Sequence, residues 1–226
     1  MGGTTLGADV TVGPAPVVPG SMGIFGGTFD PIHVAHLAVA EAAAETLGLE
    51  CVLFVPAGQP PHKLDIPISP AADRLAMVRL AIEGNDRFSV DTLEIERAGP
   101  SYTVHTLEAV AARRAADGLD ADLALIVSVE GYRHLPTWRD PARIIELARL
   151  VVAPREGYAD ADRDAIAAVP GAAERSVFLD KPRLRLSASE LRTWAAEGRS
   201  LRYLVPDAVA AYIGDHGLYR NQRRTI

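Results

Sequence analysis

The chain has 226 residues and a mass of 24.1 kDa, and 48% of it is hydrophobic, enough to fill a real core, so wholesale disorder is excluded. A formal charge of −6 and an isoelectric point near 5.5 leave no basic footprint for nucleic acid or an anionic membrane surface. The one cysteine, Cys51, cannot form an internal disulfide, and no apolar run approaches the ~18 residues of a membrane span, so a reducing cytoplasm is the expected compartment.

Residues 1–21 are rich in Gly, Pro, Thr and Val and lack the positive start of a signal peptide. They read as a disordered tail, or as a mis-called start with Met22 the initiator, outside a domain spanning 22–219. Met22 to Phe25 is a short apolar strand, and Gly26-Gly27 turns the chain. An Ala-rich helix runs from Leu37 to Leu47, and His33 and His36 open it on one face. Imidazoles beside the unpaired N–H groups of a helix start, reached through glycines, make a phosphate-binding corner. Cys51 to Val55, closed by Pro56, reads as a buried parallel strand.

A long loop, 57–70, carries His62 and Lys63, and a helix follows from Ala71 to Ile82. Phe88 to Ile95 reads as a strand, and Tyr102 to Ala116 as a helix capped by Ser101 or Thr103. Leu123 to Val127, Leu150 to Ala153 and Ser176 to Leu179 are further strands, with Ile144 to Ala148 helical between the first two. A helical C-terminal part, about 182–219, holds the helices Ser187 to Glu197 and Pro206 to Ile213, and 220–226 is a basic, frayed end.

Strands alternating with helices predict an α/β fold: a doubly wound parallel sheet, Rossmann-like, with its ligand at the carboxyl ends of the strands. The glycine spacing is wrong for a dinucleotide-binding dehydrogenase, and no Walker motif occurs. A zinc site on His33 and His36 would need further ligands, and no second pair has metal spacing.

The stretch Gly26-Gly27-Thr28-Phe29-Asp30-Pro31-Ile32-His33-Val34-Ala35-His36 resembles the H-x-G-H signature of the nucleotidyltransferase superfamily. Leu186-Ser187-Ala188-Ser189-Glu190-Leu191-Arg192 is similar to its second landmark, a serine-rich helix start with Arg. Within the superfamily the chain most resembles the bacterial nicotinate-mononucleotide adenylyltransferases. That likeness rests on Val55 to Lys63, Gly99 to Leu107, Leu135-Pro136-Thr137-Trp138 and Ala153 to Tyr158, and covers 22–219.

The resemblance implies a nucleotidyltransferase of NAD biosynthesis that joins ATP and nicotinate mononucleotide into deamido-NAD and pyrophosphate. His33, His36, Lys63 and Arg192 would be catalytic. ATP would be held by Gly26, Gly27, Thr28, Phe29, Glu130, Ser187, Ser189 and Arg192. The pyridine mononucleotide would meet Asp30, Lys63, Tyr102, Thr103, Trp138 and Arg155, with Trp138 stacked on the pyridine. Mg2+ would arrive with ATP and take no ligand from protein side chains. Neither nucleic acid nor membrane is an expected partner, and a homo-oligomer is compatible with the sequence. Ala35, His105, Ser128, Glu130 and Ala188 depart from the family pattern, mostly on the ATP side. Two rivals remain at this level: a related transferase acting on phosphopantetheine, and a catalytically weak nucleotide-binding protein on the same fold.

Overall fold

Six apolar runs become six strands in the computed structural model, which describes residues 18–60, 67–154 and 168–220. They are β1 (Val18–Gly27), β2 (Leu49–Pro56), β3 (Phe88–Val90), β4 (Asp122–Ser128), β5 (Ala148–Ala153) and β6 (Ser176–Phe178). They form one sheet in the order β3-β2-β1-β4-β5-β6, and every neighbouring pair is parallel. The chain winds outward from β1 to β3 and then resumes at β4 on the other side of β1. The strand order therefore reverses between β1 and β4, where an open α/β sheet leaves a crevice.

The central strands β1, β2, β4 and β5 bury both of their faces, one residue up and the next down. Phe25, Val52, Phe54, Ala124, Ile126 and Val151 point into one core. There they meet Val39, Ala40 and Ala43 of α1 (Val34–Leu47) and Met77 and Val78 of α2 (Ala71–Ile82). Ile24, Leu53, Val55, Leu123, Leu125 and Val127 point into the other. That core is closed by Val104, Leu107 and Val110 of α4 (Thr103–Ala116) and by Ile144 and Ile145 of α6 (Pro141–Leu147). The C-terminal helices α7 (Ala188–Ala196) and α8 (Asp207–Asp215) add Leu191, Val209 and Ile213 to the first core, so they are continuous with the domain. Among the described residues no helix is long and apolar enough to cross a membrane.

Three details differ from the sequence reading. β1 begins at Val18, so 18–21, expected outside the fold, belong to the sheet. Ser21 is 1% exposed, and its hydroxyl donates to the carbonyl of Val18 at 2.7 Å and accepts from the N–H of Glu50 at 3.2 Å. The run Phe88 to Ile95 is not one strand: after Val90 the Asp91 carboxylate accepts from the N–H of Leu93 at 2.9 Å, and 93–96 coil into the short helix α3 (Leu93–Glu96). An Asp that bonds its own backbone two residues on turns the chain out of the ladder. Neither α5 (Val129–His134) nor the 3-10 turn Leu135–Thr137 was anticipated.

Candidate active site

At the end of β1 the chain leaves the sheet through Gly26 and Gly27. A Cβ on Gly27 would lie 2.9 Å from the Phe29 ring, so only glycine fits while Phe29 is tucked beneath. Phe29 has φ +49°, is 2% exposed, and packs against Phe25, Phe54 and His36. The turn is held by its own buried aromatic.

His33 is the N-cap residue of α1 and His36 lies one turn on. Their rings stack with centroids 3.7 Å apart and planes at 17°. The backbone N–H of His33 donates to Nδ1 of His36 at 3.2 Å. That bond makes Nδ1 an acceptor and leaves the ring proton on Nε2. Burial first, and then the neighbouring His33, hold the His36 pKa well below the ordinary imidazole value. His36 is thus a neutral ring with a fixed tautomer whose remaining donor is Nε2–H.

A second helix start faces this one. Ser187 caps α7 by accepting from the N–H of Glu190 at 3.2 Å. Arg192, one turn further, donates through Nη1 to the main-chain oxygen of Asp30 at 2.7 Å and through Nη2 to Ser189 Oγ at 3.1 Å. The α7 start is tied directly to the β1–α1 turn.

Between the two helix starts, at the switch point, lies a cavity of about 490 Å3. It is lined by His33, Ala35 and His36 from α1, Ser187, Ala188, Ser189 and Arg192 from α7, and Ser128, Glu130 and Gly131 beyond β4. A second cavity of about 230 Å3 adjoins it, lined by Gly27, Thr28, Glu94, Tyr102, Thr103, Thr106 and Arg139. Gly26, Ile126, Val127 and Trp138 border both. The site is a two-chambered cleft with Trp138 on the shared wall.

Most of the expected residues meet here, with corrections. Asp30 was expected to touch substrate, but it is 2% exposed and lines neither chamber. Its carboxylate accepts from the Tyr219 hydroxyl at 2.8 Å and the Ser69 N–H at 3.1 Å. Phe29 also lines neither chamber, because its ring is committed to the core. Gly27 and Thr28 border the smaller chamber, not the larger one expected for ATP. Ser101 does not cap α4; its hydroxyl accepts from the N–H of Gly58 at 3.0 Å. Lys63 and Arg155 lie outside the described residues.

Sequence reasoning missed Arg74, Tyr219, Glu94 and Arg139. Arg74 is 1% exposed and donates to the carbonyls of Thr28 at 2.9 Å, Ser69 at 3.0 Å and Gly58 at 3.4 Å, joining the loops after β1 and β2. Burial lowers its pKa, and the nearby Asp30 charge opposes that shift. Beside it, a Cβ on Gly58 would sit 2.1 Å from the carbonyl oxygen of Glu94. The Glu94 carboxylate accepts from the Thr106 hydroxyl at 2.6 Å. No local pattern signals that Arg74, on the Ala71–Ile82 helix, is a buried hub.

The cytidylyltransferase-like family profile matches residues 24–194. A Thermomicrobium roseum protein named "probable nicotinate-nucleotide adenylyltransferase" is 48% identical over 199 residues, covering 88% of this chain and 91% of its own. A Thermus thermophilus protein of the same name is 44% identical, covering 88% and 99%. The chain belongs to the nicotinate-nucleotide adenylyltransferase family. The nicotinic acid mononucleotide adenylyltransferase of Plasmodium falciparum, solved in complex with NaAD, shares the fold with a TM-score of 0.73 at 16% identity, covering 88% of this chain and 97% of its own.

Set against that family's pattern, the departures acquire local roles. Ser128 stands where glycine is usual, and its hydroxyl caps α5 by accepting from the Gly131 N–H at 3.1 Å. Ala35 and Ala188 each place a methyl group on the wall of the larger chamber. His105, in place of Asp, sets its ring edge-on to Tyr102 at 5.7 Å.

Proposed function

We propose that this protein transfers the adenylyl group of Mg–ATP to the 5′-phosphate of nicotinate mononucleotide, within the NAD biosynthesis of the cytoplasm. A phosphate oxygen of the mononucleotide attacks the α-phosphorus of ATP, the bond to the β-phosphate breaks, and pyrophosphate leaves as deamido-NAD forms. The observation that carries this reading is the pair of adjoining chambers, one between two helix starts and one beside Tyr102 and Trp138.

ATP occupies the larger chamber, its phosphates against the N-terminal ends of α1 and α7, where backbone N–H groups and the helix dipoles favour anions. His36 donates from Nε2 without bringing a charge, and Arg192, with Ser187 and Ser189, balances the phosphates from the opposite side. Glu130 meets the nucleoside end, and Gly26 allows close approach of both substrates to the backbone. The mononucleotide occupies the smaller chamber, with Trp138 stacked on the pyridine and Tyr102 and Thr103 at the start of α4 beside its carboxylate. Thr28 lies near the reacting phosphate, and Lys63 and Arg155 add positive charge to the same anionic pair.

No group of three or more side chains suited to a metal occurs among the described residues. The Asp30 carboxylate is already occupied by Tyr219 and Ser69. The divalent ion enters as part of the Mg–ATP substrate, where it would neutralise phosphate charge. The protein contributes position and donors, with no covalent intermediate.

Purified protein with Mg2+, ATP and nicotinate mononucleotide is expected to release pyrophosphate and form deamido-NAD. Phosphopantetheine in parallel is expected to give none; turnover with phosphopantetheine alone, or ATP binding with no turnover on any acceptor, would refute the proposal. His36→Ala is expected to cut kcat by about 10²–10³ with little change in ATP affinity, as for loss of one transition-state donor.

A further inference from the structure

The smaller chamber contains two ionic side chains of opposite sign, Glu94 and Arg139. Glu94 is 7% exposed, and its carboxylate is engaged by the Thr106 hydroxyl. Arg139 follows Trp138 directly, and its guanidinium carbon lies 4.8 Å from the centroid of the Tyr102 ring. Some surface arginines have acids: Arg87 has Glu41, Arg143 has Glu108 and Glu146, and Arg149 has Asp122. Among the described residues Arg139 is paired with no carboxylate. A guanidinium stacked on an aromatic face keeps its in-plane N–H groups available, and those groups match a carboxylate two at a time.

We propose that Arg139 is a specificity-determining residue that makes this chamber take the acid form of the pyridine mononucleotide over the amide. The inference rests on the adenylyl-transfer reading above and names which protein group discriminates between two acceptors of nearly equal shape. A carboxamide offers one acceptor and an N–H2 group, so it would leave one guanidinium donor unmatched and set N–H against N–H. Glu94, the chamber's other ionic group, has its Oε1 engaged by the Thr106 hydroxyl of α4 at 2.6 Å. The start of α4 at Thr103 lines the same chamber and adds the positive end of its dipole. Tyr102 acts as the platform that holds the guanidinium in place.

The test compares nicotinate mononucleotide with nicotinamide mononucleotide as acceptors for the wild type, Arg139→Met and Arg139→Lys, with thermal unfolding of each. Arg139 is exposed, so melting temperatures are expected to agree. For Arg139→Met, kcat/KM with the acid form should fall about 10- to 100-fold, while the amide form changes less than about threefold. Arg139→Lys, which keeps the charge, should recover part of the preference. Equal losses on both acceptors would place Arg139 on the shared phosphate and overturn the inference, as would no loss on either. A wild type that uses neither acceptor would instead defeat the adenylyl-transfer reading, and this inference with it.

Discussion

Arg192 and Asp30 are 162 residues apart in the chain and 2.7 Å apart in the fold, guanidinium to main-chain oxygen. The bond joins the start of α7 to the turn that opens α1, so the two helix ends proposed to face the phosphates form one unit. The same guanidinium holds Ser189 Oγ at 3.1 Å. Arg192→Lys removes the fork that makes both bonds at once. The expected result is a fall in kcat/KM for ATP of about 10- to 100-fold with a melting temperature close to wild type. Steady-state kinetics beside a melting curve check it.

Beneath that bond the Asp30 carboxylate accepts from Tyr219, whose own pKa is raised by burial and by the Asp30 charge. The phenol therefore remains a donor at any pH at which the protein is handled. Tyr219→Phe leaves a buried carboxylate short of one bond and should destabilise the fold by about 1–3 kcal/mol. Urea titration measures it, and an unchanged midpoint would contradict the bracing role.

His36 makes a prediction about acid. The folded protein holds the ring neutral below the pH at which a free imidazole protonates. As pH falls from neutrality the unfolded chain takes up this proton near pH ~6.5. The folded chain does so only at lower pH. Between those points the unfolded state binds more protons, so the stability from this group is complete above the unfolded value and drains as pH falls through the window beneath it. His36→Gln should lose less stability than wild type between pH 7.5 and 5, a difference readable from urea midpoints; parallel profiles would exclude it.

Ala35 offers a test on the wall of the larger chamber, proposed for ATP. Ala35→Gly restores the family's usual residue and removes a methyl group from the first turn of α1. Helix stability should fall by about 0.5–1 kcal/mol. The KM for ATP should fall as well, because the vacated space lies where the nucleotide is proposed to pack. A rise in KM would show that the methyl group is a contact and not an obstruction.

The fold class and the two helix starts were legible because their signals are local. Gly26 to His36 is a contiguous strand, turn and helix start, and Ser187 to Arg192 carries its own cap and a side chain reaching back one turn. The alternation of apolar runs with helical stretches was enough to imply a parallel sheet, and β1 to β6 follow it. The boundary at Val18 was not legible, since Ser21 is ordered by bonds to Gly48 and Glu50 that no local pattern announces. The segment 88–95 misled for a related reason. A short apolar run fits strand and helix equally, and Asp91 decided between them.

By itself, then, the amino-acid sequence determined the strand-turn-helix start at α1 and the capped start of α7, through glycines, serines and histidines whose geometry depends on neighbours a few residues away. Only the tertiary structure decided what each polar side chain is used for. Asp30 became a brace because Tyr219 arrives from the end of the chain, and Arg74 became a hub because two loops present three carbonyls to it. Arg139 became a candidate reader of the substrate's carboxylate because it lies over Tyr102 and is paired with no carboxylate among the described residues. Backbone form follows from short-range sterics and periodicity. The role of a charge follows from which groups long-range packing sets against it, and that is a property of the whole fold.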